Sequence, residues 1–393
     1  MNPRRRLRHP KLHKIKVRHS QQYEKTIVVH VATVTEKNPL GLAPGEYVCE
    51  DVSAGQMLAN GWAESVSKKE LKGRPFDDKL GWDERRILFV RPGGFGDLLF
   101  LTPTIAEIKR RFPKVQIYVA CFDRFKPVLL NNPDVTDVIS YPVPLSEIRE
   151  QKEDAEVCWH DFDAIIWLEG IIEKNPEALN THAVDLIAKR CALDLTDRRM
   201  RYFVTKEELA AAITEFPKKS ERDKRVGIQM TASGHCRMYP HMLEVAKKLW
   251  MDGREVFLFG GPGEIKTNEP DGIVNLMMLG KSFRESCAIL MTCDVLVAPD
   301  SALTHVAGAL NIPCVALYGP FPWTLRTAYA PKTFALQGQG ACAPCFHHAL
   351  PGRHQFPLHG PCNKTGRCEV LGSIKPERVI REVEKKLEQY AGR

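Results

Sequence analysis

Arg86-Ile87-Leu88-Phe89-Val90-Arg91-Pro92-Gly93-Gly94-Phe95-Gly96-Asp97 is the stretch on which the fold turns. Its first five residues carry four apolar side chains and read as a short buried strand. Glycines at 93, 94 and 96 then break the strand, and Leu98–Phe112 reads as a helix. Glycine permits positive φ and close approach of a ligand to the backbone. Asp97 falls at the helix start. It reads as a capping residue or as a carboxylate facing a bound molecule. The spacing is not that of a dinucleotide fingerprint. No Gly-Lys-Ser/Thr follows, so it is not a P-loop either.

The alternation of strand and helix continues outward. Gln116–Cys121, Val135–Ser140 and Ala164–Leu168 read as strands, and Leu179–Leu193 as a helix. Pro217–Lys224 is a charged, proline-bearing break. A second series follows it. Strands are expected at Arg225–Met230, Glu255–Phe259, Val295–Ala298 and Pro313–Tyr318. Helices are expected at Pro240–Asp252, Phe283–Cys293 and Ser301–Leu310. Such alternation implies parallel sheets with helices on both faces. Two α/β halves, 85–215 and 222–385, then face a cleft, and open parallel sheets bind ligands at the carboxyl ends of their strands.

The chain is 393 residues long, enough for two or three domains with sizeable cores. With 44% hydrophobic and 26% charged residues it is neither disordered, collagenous nor a coiled coil. The long uncharged run Ser301–Leu325 contains Asn311, Pro313, Pro320 and Pro322, so it reads as helix, turn and strand rather than a membrane span. Residues 1–25 hold nine Lys/Arg and one acid, which accounts for the whole formal charge of +8. The rest of the chain is balanced and has no global attraction to nucleic acid. The basic arm reads as a solubilising tail, or as a contact for nucleic acid or an anionic membrane surface. Residues 26–72 form a small α+β module, with strands at Thr26–Val34 and Gly45–Val48 and a short helix at Ser53–Gly61. It faintly resembles modules of tailed-phage proteins. Leu71–Glu84 reads as a linker. No apolar segment follows the basic start, so no secretory signal is expected and the default location is cytoplasmic.

Three further motifs follow strands. Thr231-Ala232-Ser233-Gly234-His235-Cys236-Arg237 offers hydroxyls and a cation suited to a diphosphate. Gly260-Gly261-Pro262-Gly263-Glu264 places a carboxylate where ribose hydroxyls can be held. Pro299-Asp300-Ser301-Ala302-Leu303-Thr304-His305 opens a helix whose first N–H groups are free for an anion. Each also has a bland reading, as a turn, a cap or a solvated arginine.

Taken in order, the motifs resemble glycosyltransferase family nine, the lipopolysaccharide heptosyltransferases. The residues that carry the resemblance are Arg91…Gly96-Asp97…Thr102-Pro103, Arg237-Met238-Tyr239-Pro240, Phe259–Glu264, Pro299–His305 and Leu317-Tyr318-Gly319-Pro320. It spans about residues 85–385. The chain departs from the family pattern at Arg237 (Lys), Tyr239 (Trp), Pro299 (Asn) and Ala302 (Gly). The resemblance implies a GT-B fold of two Rossmann-like domains and an inverting glycosyl transfer without a catalytic metal. Asp97 matches the family base. Arg237, the helix start at Ser301–Thr304 and His305 would meet charge on the leaving diphosphate. Gly94, Gly96, Thr231, Ser233, Gly261, Glu264, Asp300, Ser301, Ala302, Thr304 and His305 would line the site of an ADP- or UDP-linked sugar. The acceptor implied by the family is a glycolipid, lipopolysaccharide core, at the inner membrane. The atypical N-terminus leaves a phage-encoded enzyme acting on DNA or virion protein as the alternative, or a virion-associated, non-catalytic scaffold.

Twelve cysteines are too few for a disulfide scaffold of this length. Cys121, Cys293 and Cys314 lie in apolar runs and read as buried thiols. Cys342, Cys345, Cys362 and Cys368 cluster in a loop, 342–368, with four histidines among them. The Cys-x₂-Cys knuckle suits a structural zinc, though the second pair is widely spaced. Disulfides and free thiols are the other readings.

Overall fold

The computed structural model describes residues 81–141, 143–144, 148–150, 157–159, 162–168, 170–172, 175–218, 220, 223–346 and 367–390, and the strands Thr26–Val31, Gly45–Glu50 and Ser65–Leu71. The basic arm, the expected helix at Ser53–Gly61, Cys362 and the loop histidines lie outside these residues.

The first half is a four-stranded parallel sheet ordered Ala164–Trp167, Arg86–Val90, Gln116–Cys121, Asp137–Ser140. Arg86–Val90 is almost wholly buried, as its apolar run requires. The chain leaves it through the glycine turn into the helix Phe95–Arg111. The next strand in sequence pairs on one side of Arg86–Val90 and the last on the other. The turn therefore sits where the strand order reverses, the usual place for a ligand crevice.

The helix Phe95–Arg111 carries Pro103 in its interior. A proline cannot donate to the carbonyl four residues back, here that of Leu99. The Thr102 hydroxyl donates to that carbonyl instead, at 2.7 Å, and its oxygen accepts from the Arg201 backbone N–H. Thr102-Pro103 is thus a local repair that also ties the helix to the chain crossing toward the second half.

The second half is a six-stranded parallel sheet ordered Val274–Asn275, Glu255–Phe259, Arg225–Gln229, Val295–Pro299, Cys314–Tyr318, Thr333–Gln337. Its first strand, Arg225–Gln229, is central, and the loop after it again occupies the point of reversal. The N-terminal module contributes a small antiparallel sheet, Ser65–Leu71, Thr26–Val31, Gly45–Glu50, which Val143–Pro144 of the first half extends.

The structure corrects some expectations. The supposed linker, Leu71–Glu84, contains Trp82, which is 1% exposed and part of the core. The helix expected over Leu179–Leu193 is two pieces, a 3₁₀ turn Pro176–Leu179 and a helix Ala183–Arg190. His182 caps the second piece, accepting from the Val184 N–H. Lys206–Glu215, Thr333–Gln337 and Pro376–Gln389 are further elements without a counterpart in the sequence reading. The helix at 206 starts in a capping box of Thr205 and Glu208. Cys121, Cys293 and Cys314 are buried free thiols as expected. Ser301–Leu325 is a helix, a strand and turns, and among the described residues no helix is long and apolar enough to cross a membrane.

The halves share one continuous buried cluster. Phe95 of the first stacks on Phe283 of the second, with ring centroids 4.2 Å apart. Arg284 is the polar staple. Its guanidinium donates to the carbonyls of Pro127 and Phe203 at 3.0 and 2.9 Å and pairs with Glu208. Removing one partner of such a pair strands the other in poor solvent. Arg284→Met is expected to lower the unfolding free energy by about 3 kcal/mol in urea titration, with the two halves melting less cooperatively.

Candidate active site

The turn after Arg86–Val90 opens with Gly94 at φ 91°. That conformation suits glycine and is strained for other residues. A Cβ at this position would lie 1.8 Å from Asp97 Oδ2. The Asp97 carboxylate therefore folds back over Gly94, in the space a side chain would fill. Arg91 reaches it from below at 3.0 Å, and Asp97 remains 27% exposed. The other arm of the Arg91 guanidinium donates to the Leu168 carbonyl at 2.9 Å. The carboxylate is fixed by a buried cation yet open to the cleft.

Opposite stand the loops of the second half. The Arg237 guanidinium donates to the Ser233 hydroxyl and, at 3.3 Å, to the Asp300 carbonyl. It also lies 3.6 Å from Asp300 Oδ2. Glu264 accepts from the Thr231 hydroxyl at 2.5 Å and from the Gly261 N–H at 2.7 Å. Its carboxylate thus bridges the ends of two neighbouring strands. Ser301 is the N-cap of the helix Ala302–Ala309, and its side chain makes no capping bond there. The first N–H groups of that helix are oriented to receive an anion.

These groups line one cleft of about 1000 Å³. It brings together Gly94, Gly96, Asp97, Thr231, Ser233, Arg237, Gly261, Glu264, Asp300, Ser301, Ala302 and His305. Thr304 is not among its lining residues. Thr304 is fully buried, and its hydroxyl donates to the Pro299 carbonyl at 2.6 Å, which makes it a structural tie.

His305 sits at the floor. A Cβ on Gly96 would stand 3.0 Å from its ring, so glycine there lets the two halves meet. Its ring packs on Phe100 at 4.6 Å. Burial pushes His305 down to about 4, despite the opposing pull of Asp300. With that shift the ring is neutral near pH 7, so the fixed positive charge of the cleft comes from its arginines. Arg326, which the sequence reading did not single out, supplies positive charge beside it. Arg91 carries no signal in the sequence beyond its place in the glycine-turn motif. Both act through contacts that form between distant segments, so local pattern gave no cue to their roles.

The sequence model of glycosyltransferase family 9 (heptosyltransferase) matches residues 159–353. Lipopolysaccharide heptosyltransferase 2 of Salmonella typhimurium is 26% identical over 290 residues, covering 60% of this chain and 83% of that protein. The chain is heptosyltransferase-like, similar to the glycosyltransferases of family 9. The crystal structure of a family 9 glycosyl transferase from Veillonella parvula superposes with a TM-score of 0.59 at 16% identity, covering 79% of this chain and 99% of that one. The E. coli ADP-heptose lps heptosyltransferase II gives 0.55 at 21% identity, covering 78% and 100%. The fold is GT-B.

One departure from the family pattern has a local explanation. The Tyr239 hydroxyl donates to the Ile374 carbonyl at 2.6 Å, anchoring the Arg237 loop to the C-terminal segment. For the thiols, Cys342 is exposed, Cys345 half-buried and Cys368 buried. Among the described residues no three His, Cys, Asp or Glu side chains stand close enough to hold a metal. The described part of the expected zinc set does not by itself fit the ion.

The buried histidines couple stability to pH. Burial also pushes His182 down to about 4, and its ring packs at a tilt against Tyr329, with centroids 4.5 Å apart. An unfolded histidine takes up its proton near 6.5. Above that pH both states are neutral and the contribution to stability is complete. As pH falls from 6.5 toward 4, only the unfolded state gains protons, so stability is lost. The unfolding free energy from urea titration is expected to drop across that window by a few kcal/mol in all, on the order of one or two per histidine. His182→Gln should flatten part of the slope.

Proposed function

We propose that this enzyme moves a heptose-like sugar from a nucleoside diphosphate donor to an acceptor hydroxyl, inverting the anomeric centre and using no metal. The observation that carries the reading is the meeting of Asp97 from one half with Arg237, Asp300 and the Ser301 helix start from the other in one cleft. The E. coli relative is named for ADP-heptose and lipopolysaccharide, which makes ADP the first donor nucleotide to try and lipopolysaccharide core the first acceptor. Such work would be done at the cytoplasmic face of the inner membrane.

In this mechanism Asp97 takes the proton of the acceptor hydroxyl. The acceptor oxygen forms its bond to the anomeric carbon from the face opposite the diphosphate. The bond from that carbon to the phosphate oxygen breaks, and its electron pair stays with the diphosphate. Positive groups already in place stabilise that charge without reorganising. Arg237 and the helix N-terminus at Ser301 serve this role. Glu264, held by Thr231 and Gly261, orients the ribose hydroxyls.

Turnover with ADP-heptose and a heptose-deficient core acceptor tests the reading. Asp97→Asn is expected to bind ADP as wild type does and to lose about 10²–10⁴-fold in kcat. Gly94→Ala should also lose kcat with ADP affinity largely retained, because its Cβ takes the space of the carboxylate. Product with inverted anomeric configuration by NMR is expected. Full activity in Asp97→Asn would remove the base. Absence of binding to any nucleotide sugar would favour a non-catalytic role.

A further inference from the structure

We propose that Arg326 is a second diphosphate-binding cation, paired with Arg237 across the shared carboxylate of Asp300. This rests on the nucleotide-sugar reading above and assigns a residue to it.

Arg326 follows the 3₁₀ turn Trp323–Leu325, beyond the strand Cys314–Tyr318. Arg237 comes from the loop after the central strand Arg225–Gln229. Two distant segments thus deliver guanidiniums to one place. Arg237 Nη1 lies 3.6 Å and Arg326 Nε 3.7 Å from the same oxygen, Asp300 Oδ2. Both distances suit ion pairing and exceed an ordinary hydrogen bond. The carboxylate centres the two cations without saturating their donors.

Arg326 is held rigidly for a residue that lines an open cleft. Only 9% of it is exposed. Its guanidinium lies over the buried Phe321 ring at 4.5 Å, and Nη1 donates to the Leu325 carbonyl at 3.1 Å. The ring contact and the carbonyl bond hold the fork in place, and a guanidinium fork matches paired phosphate oxygens better than an ammonium does. Around Asp300, two guanidiniums face one carboxylate and a neutral His305, whose buried Nδ1 has no hydrogen-bond partner. The cluster carries a net positive charge in a partly desolvated place. A diphosphate between Arg237, Arg326 and the Ser301 helix start would compensate it. A purely structural arginine would require no opening to the cleft.

The test is calorimetric titration of the full chain with ADP and UDP, and with adenosine and uridine by competition. Arg326→Gln should weaken binding of the diphosphate roughly tenfold to hundredfold and leave the nucleoside unchanged. Arg326→Lys keeps charge but not the fork, and should fall between. It also serves if the glutamine variant does not fold. Equal diphosphate affinity in wild type and variants would overturn the assignment. So would equal losses for diphosphate and nucleoside, which mark a structural role. If wild type binds neither diphosphate, the donor reading itself fails and the assignment falls with it. If wild type binds and the variants are unchanged, only the assignment fails.

Discussion

The site depends on how closely two helices from different halves approach. The helix that begins at Phe95 presents Gly96 to His305 of the helix Ala302–Ala309, and a single added carbon would press on that ring. The neighbouring Phe100 ring closes on the same histidine. This contact holds Asp97 on the same cleft as Asp300, Arg237 and Ser301. The Phe95–Phe283 stack and the Arg284 staple fasten the halves on the flank. Chemistry that needs a base from one half and a phosphate pocket from the other requires such a fixed meeting, because small errors of placement cost large factors in rate.

Much of this was legible in the sequence because the relevant physics is local. Short apolar runs between glycine turns gave the strands, and Gln116–Cys121 and Glu255–Phe259 match their expected bounds. Glycines and hydroxyls after strands marked the ligand loops, since open α/β sheets place their crevices there. Other features were not legible because they depend on packing. Trp82 stands in a charged, glycine-bearing stretch, yet the first core buries it. Thr304 looked like a phosphate hydroxyl, but the backbone places it under Pro299. His305 reads as a cation in the sequence, whereas its burial in the fold favours the neutral ring. Arg326 stands among Pro322, Trp323 and Leu325 with no motif of its own. Its meaning comes from Asp300, which lies in a different segment and meets it only in the folded chain.

Asp300 shows what a buried carboxylate does between two guanidiniums. An isolated buried acid is costly, and so is a buried arginine. Together, Asp300, Arg237 and Arg326 reduce one another's cost and hold both guanidiniums in place before a ligand arrives. Preorganised charge is more effective than charge that must move, because the protein has already met the cost of orienting it. The same carboxylate limits the positive potential of the empty pocket. A cleft carrying two bare arginines would hold any phosphate tightly, product included. Sharing one carboxylate tempers that hold.

The acid on the other rim follows the opposite rule. Asp97 meets its cation, Arg91, from beneath, and the arginine's second arm is bound to the Leu168 carbonyl. Arg91 is only 4% exposed and both arms of its guanidinium are engaged, so it acts as a fixed counter-charge to Asp97. It fixes the carboxylate in place and leaves its outer side facing the cleft. One half thus buries the cation and exposes the acid. The other buries the acid and turns cations toward the cleft. In the proposed reaction a proton leaves the acceptor on the first side, and negative charge collects on the leaving group at the second. The two inverted charge pairs match those two demands, and neither pair would serve in the other's place.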